Sequence, residues 1–410
     1  MPCYDKSILK LIVTDFILVK ADILDLLCYL QGGIMAQSNL TAHEVKKINR
    51  TKVFQYIYEQ RQTSRPDIAT SLHLSFPTVS QNLIDLEESG LIEKGDFLES
   101  TGGRKAQCLL CRATSRIAVG MEILREFVSV SVIDLYGTVL AHHIINLPYS
   151  NDPYYFLEVC RALNEFIAAL PYDPSVILGI GIAIQGLISP DGQTVTFGKV
   201  LGHTGLSLSR FQEHLNYPCI FLHDSKAAAS AQIWFQKEIK DAVYVSLNRN
   251  IGGAVILNGT VFEGNSLISG TLEHMCLIPD GKPCYCGKNG CVEAYCSANA
   301  LREEAGESLE LFFAKLRSGE ANEVRLWDTF LHRLARVISN IRNILDVDFM
   351  LGGFLNAYFC PEDYETLSCL AAENCGISDE KVRILSGSHD DQITSIGAGL
   401  YYIRAFLEQI

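Results

Sequence analysis

Hydrophobic positions along the chain change their period, and each change marks a different kind of element. Between residues 48 and 58, Val53, Phe54, Ile57 and Tyr58 recur at helical spacing and share one side of a predicted amphipathic helix. Ser64 suits an N-cap, with Asp67 at the third helical position, and opens a short helix over 65–71. Leu72-His73-Leu74 reads as a turn, and Ser75 caps a third helix over 76–86. On that helix Val79, Leu83 and Leu86 are expected to face inward, and Thr78, Ser80, Gln81 and Asn82 outward. Residues 90–93 start a strand, 100–105 form a hairpin tip and 106–110 return.

Past Arg116 strands and helices alternate. Predicted strands cover 127–135, 176–184 and 219–222, the last leading into a helix over 226–235. Residues 242–247 and 253–257 form a predicted hairpin, and long helices follow near 309–316 and 327–345. A strand at 349–351 meets Gly352-Gly353, and a closing helix covers 397–407. The alternation predicts an α/β domain of two lobes over 116–410, behind a smaller α+β unit over 45–112.

That smaller unit has the layout of a helix–turn–helix followed by a wing. Lys46, Lys47, Arg50, Lys52, Arg61 and Arg65 gather before or within its first two helices, against Glu44 and Glu59. Short hydrogen-bonding side chains on an outward helix face suit base edges and phosphates, and a cationic tip suits the backbone or minor groove. The candidate DNA contacts are Ser64, Arg65, Ser75, Thr78, Ser80, Gln81 and Asn82, with Arg104 and Lys105 at the wing tip. The competing reading is a three-helix packing domain whose polar residues form an ordinary solvent face.

Composition narrows the classes. A chain of 410 residues exceeds one ordinary domain, and an apolar fraction of 48% supplies more than one core. A net charge of −13 argues against a surface that binds nucleic acid throughout, though not against a small local reader. Fourteen cysteines without a paired framework, and no secretory signal, point to a reducing cytoplasm. Residues 9–30 are apolar but interrupted by Asp15, Lys20, Asp22 and Asp25, which argues against a membrane helix. Gln31-Gly32-Gly33 before Met35 is what a purine-rich ribosome-binding site yields when translated in frame. Translation is therefore expected to start at Met35, leaving 1–34 as an extension of doubtful status; a genuine helical extension is the alternative.

His274, Cys284, Cys286 and Cys291 form the pattern H-x9-C-x-C-x4-C. Three thiolates and an imidazole at such spacing can close a tetrahedral shell round one zinc ion, leaving no open position for water, so the metal is expected to be structural. Gly287 and Gly290 permit the tight turn that brings Cys291 back to Cys286. Cys276 and Cys296 break the spacing and are expected to be core thiols.

Four stretches carry a family resemblance: Ser64-Arg65-Pro66-Asp67-Ile68-Ala69, Ser100-Thr101-Gly102-Gly103-Arg104, Gly179-Ile180-Gly181-Ile182 and the Cys/His segment. Over 48–407 the chain resembles the ROK family (repressors, open reading frames and sugar kinases), specifically its repressor branch. The resemblance implies an actin/hexokinase-like pair of lobes with sugar bound in the cleft, preceded by a winged helix–turn–helix. Repressors of xylose or N-acetylglucosamine use have this plan.

Kinases of the family need glycine-rich loops that let backbone amides approach the ATP phosphates. Where the first should read roughly Asp-x-Gly-Gly-Thr, this chain has Glu122-Ile123-Leu124-Arg125-Glu126. Where the second should read Gly-Thr-Gly-x-Gly-Gly, it has Asn248-Arg249-Asn250-Ile251-Gly252-Gly253. Bulky side chains now stand where backbone must come close, so neither ATP binding nor enzyme activity is expected. On the sugar side, Asp224 matches the family's carboxylate while His223 replaces its Asn partner. Thr271 stands where a sugar-contacting Glu is usual, and His274 and Glu293 are kept. Helix capping by Asp224 and support of the metal segment by Glu293 are the plainer alternatives. Gln185-Gly186 and Gly202-His203 are weaker candidates for the same cleft. The resemblance implies a homodimer or homotetramer on palindromic double-stranded operator DNA, controlled by a sugar or sugar phosphate. A sugar kinase, or a regulator answering to a protein partner, are the rival readings.

Overall fold

A computed structural model describes residues 41–97, 105–376, 380–388 and 390–410. The expectation for residues 1–34, and the wing tip with Arg104, lie outside the described residues. The described chain divides into two units, with the boundary between Arg112 and Ala113.

In the first unit, α1 (Ala42–Gln60) starts at a capping box: Thr41 Oγ1 accepts from the Glu44 amide, and the Glu44 carboxylate accepts from the Thr41 amide. After β1 (Gln62–Thr63) come α2 (Arg65–Ser71) and α3 (Phe76–Glu88), capped by Ser64 and Ser75, whose hydroxyls accept from the amides of Asp67 and Thr78. Pro66 and Pro77 fall in the first turn, where a missing N–H costs no helical bond. Val53, Phe54, Ile57, Ile68, Val79 and Leu86 are fully buried and join the three helices. β2 (Ile92–Phe97) and β3 (Gln107–Cys111) form the hairpin, in a sheet ordered β1-β3-β2.

The second unit opens with β4 (Ile117–Ile123), β5 (Val128–Asp134) and β6 (Val139–Ile145), then α4 (Pro153–Ala168) and β7 (Ile177–Ile184). The short strands β8 (Leu187–Ile188) and β9 (Val195–Phe197) and helix α5 (Ser209–Gln212) lead to β10 (Cys219–His223) and α6 (Asp224–Phe235). The other lobe holds β11 (Ala242–Leu247), β12 (Ile251–Leu257), β13 (Thr260–Phe262) and helices α7 (Glu293–Cys296), α8 (Ala298–Ala305), α9 (Leu309–Ser318) and α10 (Ala321–Arg342). It is completed by β14 (Asp348–Gly352), α11 (Pro361–Glu373) and β15 (Ile384–Ser386), and the chain ends in α12 (Ile393–Gln409).

The two sheets share one plan. Their orders are β10-β7-β4-β5-β6 and β13-β12-β11-β14-β15. Each begins with an antiparallel meander of three strands, and two parallel strands then add on the side of the first. The β4–β5 and β11–β12 turns therefore occupy equivalent places in their lobes. Helix α12 lies flat on the first sheet because glycine lets backbones touch: a Cβ on Gly120 would stand 1.6 Å from the Ser395 carbonyl oxygen.

Two cores stabilise the lobes, one round Val119, Val130 and Ile182 with Phe156 and Leu163 of α4, the other round Val245 and Leu351 with Phe330 and Leu334 of α10. Each such side chain contributes about 1.5–3 kcal/mol by leaving water. Some boundaries shift from expectation. The helix after β10 begins at Asp224, and α12 begins at Ile393, four residues before the expected Gly397. No helix among the described residues is long and apolar enough to cross a membrane.

Candidate ligand cleft and metal cluster

The ends of the strands and the segment after β13 converge on a cavity of about 50 Å³. His223 closes β10 and Asp224 opens α6, so the strand-to-helix junction presents both to this cleft. Asp224 Oδ1 accepts from the Ser225 amide at 2.7 Å, and His223 Nδ1 stands 3.3 Å from the same oxygen. Burial lowers the His223 pKa, partly offset by the Asp224 charge. Ser246, Asn248 and Asn250 also line it, with Thr271, Glu273, His274 and Tyr285. Gln185 and Gly186 also line the cleft. His203 is not among its lining residues; it is buried at the edge of Tyr149, with its ring against Gly198.

Glu293 stands one layer behind. It opens α7, and its carboxylate accepts from Asn250 Nδ2 at 2.7 Å and from the Ile251 amide at 2.9 Å, holding the β11–β12 turn. Burial raises its pKa to about 7 despite these donors. Thr271 lines the cleft, but its hydroxyl donates to the Ile268 carbonyl.

Glu273 and Glu122 are the residues that the sequence reading missed. Glu273 sits on a 3-10 turn (Leu272–His274), is buried, and lines the cleft. Burial first, then the charges of Asp224 and Glu293, push it up to about 8. Glu122 was read only as a lost phosphate loop. It is instead the penultimate residue of β4, held at about 8 by burial and by Asp224 and Asp391, against a hydrogen bond with Thr394. The β4–β5 turn and the β11–β12 turn are tied together by an ion pair between Glu126 and Arg249. Long side chains thus occupy both of these turns.

The candidate metal cluster is compact. One ligand atom each from His274, Cys284, Cys286 and Cys291 can be chosen so that all lie within 4.8 Å of one another. His274 Nδ1 is 3.8 Å from Cys284 Sγ, and Cys286 Sγ is 3.6 Å from Cys291 Sγ. Tetrahedral zinc with bonds of about 2.3 Å sets sulfur edges of about 3.8 Å, so the four residues fit such an ion. The turn is built by Cys284 and Lys288, whose amide and carbonyl bond at 2.8 Å, and by Gly287 and Gly290 at positive φ. A Cβ at Gly290 would stand 1.8 Å from the Ile278 carbonyl oxygen, so only glycine fits there. Cys296 is buried as expected, whereas Cys276 is exposed, because it lies at the surface on the strand-like bridge opposite Cys291.

In the first unit Arg65, Ser75 and Gln81 are exposed, Thr78 and Ser80 are half-buried, and Lys105 is exposed beside the hairpin. Asn82 departs from expectation: it is buried, and its Nδ2 donates back to the Thr78 carbonyl at 2.9 Å. Ser64 is buried too, with its hydroxyl spent on Asp67. Both therefore serve the helices rather than an outer face.

The comparisons with known proteins agree with this geometry. The model of the ROK family matches residues 118–398. The xylose repressor of Bacillus spizizenii is 29% identical over 63% of this chain and 67% of its own length. The DNA-binding transcriptional dual regulator NagC of Escherichia coli is 27% identical over 63% of this chain and 64% of its own. The chain thus spans about two thirds of the length of these relatives. Among solved structures, a ROK family transcriptional regulator homologous to the E. coli MLC protein superposes with a TM-score of 0.72 at 22% identity, over 89% of this chain and 97% of its own. A ROK glucokinase from Streptomyces griseus, complexed with glucose and AMPPNP, gives 0.59 at 18% identity, over 70% of this chain and 98% of its own. With a two-lobed α/β domain repeating one strand plan, a Cys/His cluster beside its cleft, and a family match across most of that domain, the chain belongs to the ROK family.

Proposed function

We propose that the protein is a transcriptional repressor whose hold on operator DNA is controlled by a sugar in the cleft. The observation that carries this reading is one chain that joins a unit of three helices and a hairpin to a cleft domain whose β4–β5 and β11–β12 turns carry long side chains. Exposed Gln81 and half-buried Thr78 and Ser80 on α3 can meet base edges, and Arg65 and Lys105 can meet phosphates. Relatives that repress xylose or N-acetylglucosamine genes support the same reading.

Asp224 and His274 would bind ligand hydroxyls, with His223 and Thr271 beside them. His274 also belongs to the metal cluster, so ligand and cluster meet at one imidazole. Zinc held by His274, Cys284, Cys286 and Cys291 would supply a rigid crosslink. Glu293 would keep the adjoining turn in place. A homodimer or homotetramer would present paired readers to successive major grooves, and ligand binding would change their separation. Coupling is reciprocal, so DNA should weaken sugar binding as strongly as sugar weakens DNA binding.

The enzyme reading is disfavoured by the Glu126–Arg249 pair across the two turns. Incubation with ATP and a panel of hexoses and pentoses is expected to yield no sugar phosphate; turnover would return the protein to the kinases. The DNA reading is tested by selecting bound sequences from a random duplex pool. A palindromic motif lost on Gln81→Ala is expected, and recovery of unselected sequence would contradict it.

A further inference from the structure

Glu273 is a buried carboxylate that the fold itself leaves unfinished. Only 7% of it is exposed, it lines the cleft, and its Oε2 has no hydrogen-bond partner among the described residues. A buried acceptor without a donor destabilises the resting fold, and such groups call for an explanation outside it. The neighbouring candidate, Thr271, has its hydroxyl hydrogen committed to the Ile268 carbonyl, so it can only accept. Glu273 therefore supplies the strongest unspent acceptor on this segment.

Charge at the cleft follows from the same residues. Asp224 and Glu273 are its acidic members. Lys199 is the sole lysine or arginine among the described lining residues, and it is exposed. Hydroxyl and amine donors would satisfy both side chains, whereas a phosphate placed there would meet the Asp224 carboxylate with no buried lysine or arginine beside it among the described lining residues.

We propose that Glu273 contacts the ligand and, with Asp224, makes the cleft select an uncharged or amine-bearing polyol over one phosphorylated at its buried end. The proposal rests on the reading of the cleft as a sugar site and narrows it to a ligand class.

The test uses the full chain, with Glu273→Met and Glu273→Gln variants whose metal content is checked by elemental analysis. Melting of the empty protein is measured first, then calorimetric binding of D-xylose, D-glucose, D-glucosamine and D-glucose 6-phosphate. Removing an unpaired buried carboxyl should raise the empty melting temperature of Glu273→Met by about 2 °C or more. Whichever unphosphorylated probe binds the wild type should lose at least about tenfold in both variants. The 6-phosphate should bind at least about tenfold more weakly than glucose. A melting temperature that falls with metal retained would make Glu273 structural and overturn the proposal. So would unchanged affinity in the variants, or preference for the 6-phosphate. If no probe binds the wild type, the sugar reading of the cleft fails. The melting comparison then still decides whether Glu273 serves the fold or something outside it.

Discussion

Single residues carry most of the chemistry assigned to the cleft, and two of them respond to simple substitutions. Among the described residues Asp224 accepts hydrogen bonds from Ser225, with His223 Nδ1 at 3.3 Å from the same oxygen, and it lines the cleft, so its other oxygen is available to a ligand. Asp224→Asn should weaken binding of whichever sugar binds by about 10- to 100-fold, the worth of a charged hydrogen bond, while melting moves by less than about 2 °C. Calorimetry with parallel melting scans checks both. Glu122 predicts a pH effect with a definite sign. Its folded pKa of about 8 lies above the ordinary 4.5, so the folded protein keeps a proton that the unfolded chain releases. Below about 4.5 the group costs nothing; the cost then grows as pH rises and levels off above about 8. Asp224 and Asp391 face it with like charge and Thr394 offsets part of it. Glu122→Gln should therefore stabilise the protein at pH 8.5 more than at pH 5.5, and equal shifts at both values would contradict the assignment. The sequence hid both buried acids for physical reasons. Glu122 looked like loop because the family's glycines were missing, yet β4 runs through it to Ile123. Glu273 escapes a sequence reading because the family resemblance places the ligand carboxylate at position 271.

At the scale of elements, local rules were readable and long-range contacts were not. The caps at Ser64 and Ser75 depend on residues three positions away, and both formed as read. The same locality explains the failure at Asn82: its side chain bonds back to the carbonyl four residues earlier, which periodicity does not register. Strand β6 escaped notice because exposed His142 and His143 interrupt its apolar pattern. The Glu126–Arg249 pair joins residues 123 positions apart and could only be found in three dimensions. The clustering of His274, Cys284, Cys286 and Cys291 was legible because they lie close in sequence, and the glycines mark where the chain must reverse. Gly290→Ala would force a Cβ to 1.8 Å from the Ile278 carbonyl at a positive φ. That substitution should cut bound zinc from one per chain to a small fraction and lower melting by several degrees. Elemental analysis that finds full zinc in a folded Gly290→Ala protein would refute the account of this turn.

For the whole molecule, the sequence pattern showed α/β alternation and a separate amino-terminal unit, and the structure divides at Arg112 and Ala113. What it did not reveal is that the second lobe repeats the strand plan of the first. That repetition places the two turns, both carrying long side chains, at equivalent positions in their lobes. A cleft lined by polar groups suits the proposed sensor, whose useful work is a change in shape rather than a reaction. The most direct measurement of that claim is fluorescence anisotropy of the protein on a duplex from upstream of its own gene. Salt is titrated first and unphosphorylated and phosphorylated sugars are then added without ATP. The expected result is tight, salt-sensitive binding that one unphosphorylated sugar releases in the wild type and not in Asp224→Asn. Tight binding that no sugar alters would contradict it.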